Sequence, residues 1–230
     1  MSLYSMEQSF KEIAALIGDP TRAAILWALL DGKAVPATEL AIAADTSPQN
    51  ISMHLARLLQ AGLLSAERQG RHRYYRFSGN EVAYAIEAMA NLIPPTVARD
   101  TGIENTAPIK YCRTCYDHLA GKIGVAVTDS LLKQKIIRSN TTGFDIGPKG
   151  RKWFMGLGID TDALQGERRS FLRPCLDWSE RRHHIAGSLA ASLLDTMLLG
   201  DWIRRTRHSR AVVITAKGKK NMYDYFRLTI

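Results

Sequence analysis

A mainly α-helical chain with small β-hairpins, divided into two domains of which the second is a duplication, is the architecture this sequence predicts. Three observations predict it. Helix-start signals recur at Asp19-Pro20 and Ser47-Pro48, each ahead of apolar residues at helical spacing. A glycine-centred turn, Gln69-Gly70-Arg71, separates two β-prone runs. In the second half, matching residues recur at an offset of 66. The 230 residues suffice for one large domain or two ordinary ones, and 46% hydrophobic with 23% charged residues is ordinary globular usage, which excludes wholesale disorder.

In the first domain, expected over residues 1–95, Ile13, Leu16 and Ile17 share a helical face that ends at Gly18-Asp19-Pro20. Asp19 then caps a second helix and Pro20 takes its first position, where a missing N–H costs nothing. Ala23, Ile25, Leu26, Leu29 and Leu30 carry that helix to Asp31-Gly32, and Thr38-Glu39-Leu40-Ala41 starts a short third. Ser47-Pro48 opens a fourth, whose Ile51, Leu55 and Leu58 form an inward stripe before Ala61-Gly62-Leu63 ends it. Residues 64–68 and 72–77 make a hairpin, and Val82, Ala85, Ile86, Met89 and Leu92-Ile93 a last amphipathic helix. The last three of these four helices, followed by two strands and a helix, are in the order of a winged helix-turn-helix. Pro94-Pro95 and the polar stretch to Pro108 mark a linker over residues 96–110.

The charge is unevenly placed. A net charge of +9 favours anionic partners, nucleic acid or an acidic membrane surface. Residues 1–95, however, hold 8 Lys+Arg against 9 Asp+Glu, so the excess belongs to residues 96–230, with 23 against 13. A membrane span is not expected, because the most apolar window, residues 187–203, carries Ser188, Ser192, Asp195, Thr196 and Asp201. The N-terminus has no basic segment leading into an apolar run, and three cysteines do not make a disulfide scaffold; a reducing cytoplasm is expected.

With Ile51, Leu55 and Leu58 inward, Gln49, Asn50, Met53 and Arg57 fall on the opposite, solvent-facing side of the fourth helix, with Ser52 and His54 on its flanks. Gln and Asn can bond bidentately to adenine, Arg to guanine or phosphate, and Ser to backbone or base. The helix N-terminus at Ser47 offers N–H groups to a phosphate. Arg68, Arg71 and Arg73 around the hairpin turn suit a wing beside the minor groove. Arg22 has two open readings, a phosphate contact or a pair with Glu39. A winged helix used only as a protein-interaction scaffold would present an apolar face here, and this face is polar.

These pieces carry a family resemblance. Leu16-Ile17-Gly18-Asp19-Pro20-Thr21-Arg22 with Ile25-Leu26, then Thr38-Glu39-Leu40-Ala41, then Ser47-Pro48-Gln49-Asn50-Ile51-Ser52-Met53-His54-Leu55 are similar, in order and spacing, to the ArsR/SmtB family of bacterial transcription regulators. Leu58, Ala61-Gly62-Leu63-Leu64 and Arg68-Gln69-Gly70-Arg71-His72-Arg73-Tyr74-Tyr75 continue the match over residues 10–93. The resemblance implies a homodimer that binds double-stranded DNA at an inverted-repeat operator, usually as a repressor released by an inducer. The metal sites of that family are missing: Glu39-Leu40-Ala41-Ile42-Ala43-Ala44-Asp45 has no thiol or imidazole, and Ala83-Tyr84-Ala85-Ile86-Glu87-Ala88-Met89 has no Asp and His pair. The inducer does not carry over.

The second domain, expected over residues 111–230, reads as repeat units of about 111–160 and 171–230. His118-Leu119-Ala120-Gly121 aligns with His184-Ile185-Ala186-Gly187, Asp129-Ser130-Leu131-Leu132 with Asp195-Thr196-Met197-Leu198, and Lys149-Gly150 with Lys217-Gly218 after two extra residues. Cys115-Tyr116-Asp117 matches Cys175-Leu176-Asp177, with six residues fewer before the first His. Each unit reads as a long helix, a short hairpin and a helix, an α+β pattern akin to a degenerate winged helix. A duplicated unit packs about a pseudo-twofold axis, so Cys115, Asp117 and His118 are expected to approach Cys175, Asp177 and His184.

Two readings of these thiols stand. One is an effector site, either a soft metal on Cys112, Cys115, Cys175 and His118 or a thiol switch, with Cys112-Arg113-Thr114-Cys115 at zinc-like spacing. The other makes the cysteines small buried hydrophobes and the histidines, His184 included, helix caps. No resident metal, cofactor or catalytic residue is assigned. P-loop, Gly-x-Gly-x-x-Gly, Gly-x-Ser-x-Gly and His-Glu-x-x-His patterns are missing, and Asp129 and Asp195 suit caps or salt bridges. The basic runs Arg168-Arg169, Arg181-Arg182 and 204–210 are solvated faces singly and together suit DNA flanks or an anionic inducer.

Overall fold

The computed structural model describes residues 3–70, 72–94, 108–141, 143–207 and 209–230. The chain divides into two compact units, Met1–Met89 and Ala90–Ile230, each with its own apolar core.

The first unit is a winged helix-turn-helix. α1 (Leu3–Ile17) gives way to α2 (Pro20–Ala28), whose first turn holds Pro20 and is capped by Asp19, accepting from Arg22 N at 2.9 Å. A 3-10 turn, Leu29–Asp31, closes it at Gly32. α3 (Ala37–Ala43) and α4 (Pro48–Gln60) follow, the latter capped by Ser47 Oγ, which accepts from Asn50 N at 3.2 Å. Ile51, Leu55 and Leu58 recur four and three residues apart, so one face of α4 carries them all, and all are buried in a core with Ile25, Leu26 and Leu40. Loss of one cap is a local test of this reading: Asp19→Ala is expected to cost about 1 kcal/mol, read from the denaturation midpoint of the first unit.

Two details of this unit differ from the sequence expectation. A short strand, β1 (Val35–Pro36), adds to the outer edge of the hairpin formed by β2 (Leu64–Gln69) and β3 (His72–Phe77). Two residues ending in proline have no alternation to reveal a strand. The last helix, α5 (Asn80–Ala90), stops short of Leu92-Ile93 and buries Ala83, Ile86 and Ala90, whereas Ala85 and Met89 are exposed.

The second unit is built from two ββαββα repeats. α6 (Pro108–Tyr111) leads in, so residues 108–110 of the expected linker are helical; residues 96–107 lie outside the described residues. The first repeat runs β4 (Arg113–Cys115), β5 (His118–Ala120), α7 (Gly121–Lys133), β6 (Ile137–Asn140), β7 (Gly143–Ile146) and α8 (Pro148–Met155). After a short α9 (Thr161–Gln165), the second runs β8 (Arg173–Leu176), β9 (His183–Ala186), α10 (Ser188–Leu199), β10 (Ile203–Arg205), β11 (Val212–Ile214) and α11 (Ala216–Phe226). Helix, hairpin, helix was the expected content of each unit; the structure adds a hairpin ahead of each long helix.

The repeats interlock reciprocally. α7 of the first packs on β9 of the second, and α10 of the second packs on β5 of the first. Thr114 N donates to Arg210 O at 2.9 Å and Val212 N to Cys112 O at 3.0 Å, joining the leading strand of one repeat to the second hairpin of the other. Leu131, Phe154, Leu193, Met197, Met222 and Phe226, drawn from both repeats, fill one core. Gly121 and Gly187 hold equivalent places at the start of the long helices, with φ of +78° and +101°. A Cβ there would come within 2.6 Å of Lys110 O or Ser170 O, so both position and conformation demand glycine. Among the described residues, no helix is long and apolar enough to cross a membrane.

Candidate functional site

The buried stripe of α4 leaves its other side open. Gln49, Asn50, Ser52, Met53 and Arg57 are exposed there, a mainly polar surface running along about two turns of the helix. Ser47 is exposed but already engaged in capping, and Ser52 Oγ donates to Pro48 O at 3.0 Å. His54 departs from the expected face. Its side chain is only 12% exposed and its Nδ1 lies 3.4 Å from Asp19 Oδ1, because a residue beside Leu55 faces the start of α2. Arg22 also turns inward. Its buried guanidinium donates from Nε to Leu16 O at 2.6 Å and from Nη2 to Ala15 O at 3.1 Å, satisfying carbonyls at the end of α1 instead of reaching Glu39 or a phosphate.

The wing carries Arg73, exposed, with its guanidinium 5.5 Å from the Tyr75 ring centroid. Arg68 sits directly across the ladder from Arg73, and its Nε donates to Gly70 O at 3.3 Å. Arg71 lies outside the described residues. Helix and wing together present side chains that can read base edges and grip phosphate.

A second constellation sits in the second unit, where the ligand atoms of Cys115, His118, Cys175 and His184 all lie within 4.8 Å of one another. Each leading hairpin supplies one of each kind. Cys115 is register partner to His118 across β4–β5, and Cys175 to His184 across β8–β9; directly opposed residues share a sheet face. Tyr116-Asp117 is the whole turn in the first hairpin, while residues 177–182 loop out in the second, which accounts for the unequal Cys-to-His spacing. His118 Nε2 and His184 Nε2 are 3.1 Å apart, and both rings are almost fully buried.

Behind each imidazole stands a carboxylate. His118 Nδ1 is 3.3 Å from Asp117 Oδ1, and Asp117 Oδ2 accepts from Arg169 Nη2 at 2.5 Å. His184 Nδ1 is 3.4 Å from Asp177 Oδ2. Asp177, 0% exposed, accepts from Arg113 Nη2 at 3.0 Å and from Gly121 N at 2.7 Å, while its other oxygen accepts from Ser179 and Glu180. Arg113, itself 1% exposed, also stacks on Trp178. The Arg113–Asp177 pair joins one repeat to the other, and Arg169 ties Asp117 to the segment that connects them.

Electrostatics follow from this packing. Burial alone would raise the Asp177 carboxyl, but His184 and Arg113 beside it hold it well below the usual carboxylate range. Burial opposes a charged His184, yet Asp177 and Cys175 raise it above an ordinary imidazole. The Cys175 thiol is held far below the thiol range by the Cys115 thiol, against the effect of burial, with both imidazoles adding to the shift. Cys112 behaves oppositely: burial pushes it up to about 12, and it packs in the apolar core. Cys112 is thus not part of the cluster, contrary to the Cys-x-x-Cys reading, because it sits at the bend between α6 and β4 and packs into the apolar core. His184 takes the fourth place. Asp129 pairs with Arg182 at 2.7 Å, the structural role expected of it.

A buried-stripe helix presenting a polar row beside an arginine-bearing wing defines a DNA-binding module. Comparison with known proteins agrees. A family model for a helix-turn-helix domain matches residues 17–65. The chain is 41% identical over 215 residues to the HTH-type transcriptional regulator YdfF of Bacillus subtilis, covering 93% of this chain and 95% of that one. It is 34% identical over 95 residues to the HTH-type transcriptional regulator CmtR of Mycobacterium bovis, covering 41% of this chain and 77% of the relative. Among solved structures, HlyU from Vibrio cholerae superposes with a TM-score of 0.36 at 27% identity, covering 40% of this chain and 97% of HlyU. The chain belongs to the HTH-type transcriptional regulators, and its N-terminal domain is of the ArsR/SmtB type. It is a DNA-binding transcriptional regulator.

Proposed function

We propose that the protein is a dimeric cytoplasmic repressor that holds an inverted-repeat operator through α4 and the wing and leaves it when a small-molecule or ionic inducer binds. One observation carries this reading: Gln49, Asn50, Met53 and Arg57 are exposed opposite the buried Ile51, Leu55 and Leu58. A protein-docking face on the same helix would be apolar. The dimer is supported by α1, where Met6, Phe10 and Ile13 are 59%, 72% and 40% exposed at four- and three-residue spacing. Such an apolar row wetted along a helix is best covered by the same row of a second copy.

The test is an electrophoretic mobility shift at fixed salt, on an operator selected from random-sequence DNA. Arg57→Ala is expected to weaken binding by about 1–3 kcal/mol and to relax preference at the base pairs beneath it. Arg73→Ala is expected to weaken binding evenly across sequences and to make the salt dependence shallower by about one ion. Unchanged affinity in both variants would overturn the assignment of this face.

A further inference from the structure

We propose that Cys115, His118, Cys175 and His184 bind one divalent, thiophilic cation of the zinc class in a closed four-ligand site that ties the two repeats together. The proposal is independent of the operator reading, since every measurement below is made without DNA.

Two sulfurs and two imidazole nitrogens are the donor set that suits zinc, and four protein ligands leave no open coordination position. On a tetrahedral zinc with ordinary bond lengths, neighbouring ligand atoms sit about 3.3–3.8 Å apart. Here the four atoms already lie within 4.8 Å of one another, with the two Nε2 atoms at 3.1 Å, so small side-chain rotations complete the tetrahedron.

The orientation of the histidines points the same way. Nδ1 of each ring faces a carboxylate, Asp117 for His118 and Asp177 for His184, which leaves the two Nε2 atoms as the inward-facing donors. A carboxylate behind a ligating imidazole fixes its tautomer and raises its basicity. When both rings are neutral with Nδ1–H on the carboxylate side, the two Nε2 atoms, 3.1 Å apart in a buried place, each have a lone pair that a cation between them can accept.

Charge balance sets the valence. Asp117 is neutralised by Arg169 and Asp177 by Arg113, so the surrounding shell contributes no net charge. Two neutral imidazoles and two thiolates then carry −2 in a largely buried cluster, which a divalent cation cancels. The thiol-switch alternative, a Cys115–Cys175 disulfide, gives the buried histidines and their carboxylates no role.

The full-length protein, purified under reducing conditions without added chelator, is expected to carry about one equivalent of zinc per chain. After chelation, Co(II) added at equimolar concentration is expected to give the intense visible bands of a tetrahedral centre together with thiolate-to-cobalt charge transfer. Both signals are expected to fall sharply in Cys175→Ser, whose folded state is checked by circular dichroism, and to survive in Cys112→Ser. Octahedral or featureless Co(II) spectra in the reduced wild type would overturn the proposal. So would an unchanged spectrum in folded Cys175→Ser, or isolation of the protein with a Cys115–Cys175 disulfide in place of the metal.

Discussion

Asp177→Asn is expected to destabilise the second unit by about 3–5 kcal/mol, the cost of leaving one member of a buried ion pair without its partner. Arg113 and Asp177 are 1% and 0% exposed, so the guanidinium, still bonded to Ile109 O and Ser179 Oγ, loses the buried carboxylate that balances its charge. The same carboxylate also accepts from Gly121 N and from Ser179 and Glu180, so the change loosens the start of α7 and the 177–182 loop together. Three of the four tryptophans, Trp153, Trp178 and Trp202, lie in this unit, so denaturant unfolding followed by their fluorescence reads the loss directly. The carboxyl sits lower in the folded chain than in the unfolded one. Its stabilising contribution is therefore fully present above the unfolded value and declines as pH falls below about 4. In Asp177→Asn that acid sensitivity is expected to flatten; an unaltered pH profile would contradict the assignment.

Leu55→Ala is expected to cost the first unit about 2–5 kcal/mol, the range for truncating a fully buried leucine. Leu55 is 1% exposed and packs among Ile25, Leu26, Leu40 and Leu58. No donor on the open face is touched, so residual folded protein should still read the same operator sequence with reduced apparent affinity. Amide exchange along α4 measures the opening: protection should fall across Ile51–Leu58 in parallel with the midpoint. Preserved protection with lost binding would show that Leu55 acts at the DNA surface instead of through the core.

How much of this was legible in the sequence depended on length and period. The caps at Asp19 and Ser47 and the stripe Ile51, Leu55, Leu58 were readable because each element spans several turns. His54 and Arg22 were misplaced because helical spacing locates a residue on a flank but not the neighbour it meets, and both meet the capped corner between α1 and α2. In the second unit the repeat register set His118 against His184 and Cys115 against Cys175. The hairpins bearing them stayed hidden, since strands of three or four residues such as Arg113–Cys115 and His183–Ala186 show no alternation. The Cys-x-x-Cys spacing misled because it does not say which way each thiol faces: Cys112, at the bend between α6 and β4, packs in the apolar core, while Cys115 on β4 joins the cluster.

The interlocked repeats have a consequence for assembly. Each ββαββα unit offers one thiol and one imidazole, half a constellation, and its long helix packs on the hairpin of the other unit. A free single unit would have to find a second molecule to cover that helix and complete the set, and the product would come apart on dilution. Fusing the two units in one chain replaces that encounter with a tethered one, at an effective concentration of about millimolar or above. The pairing is thereby made independent of how many copies a cell holds.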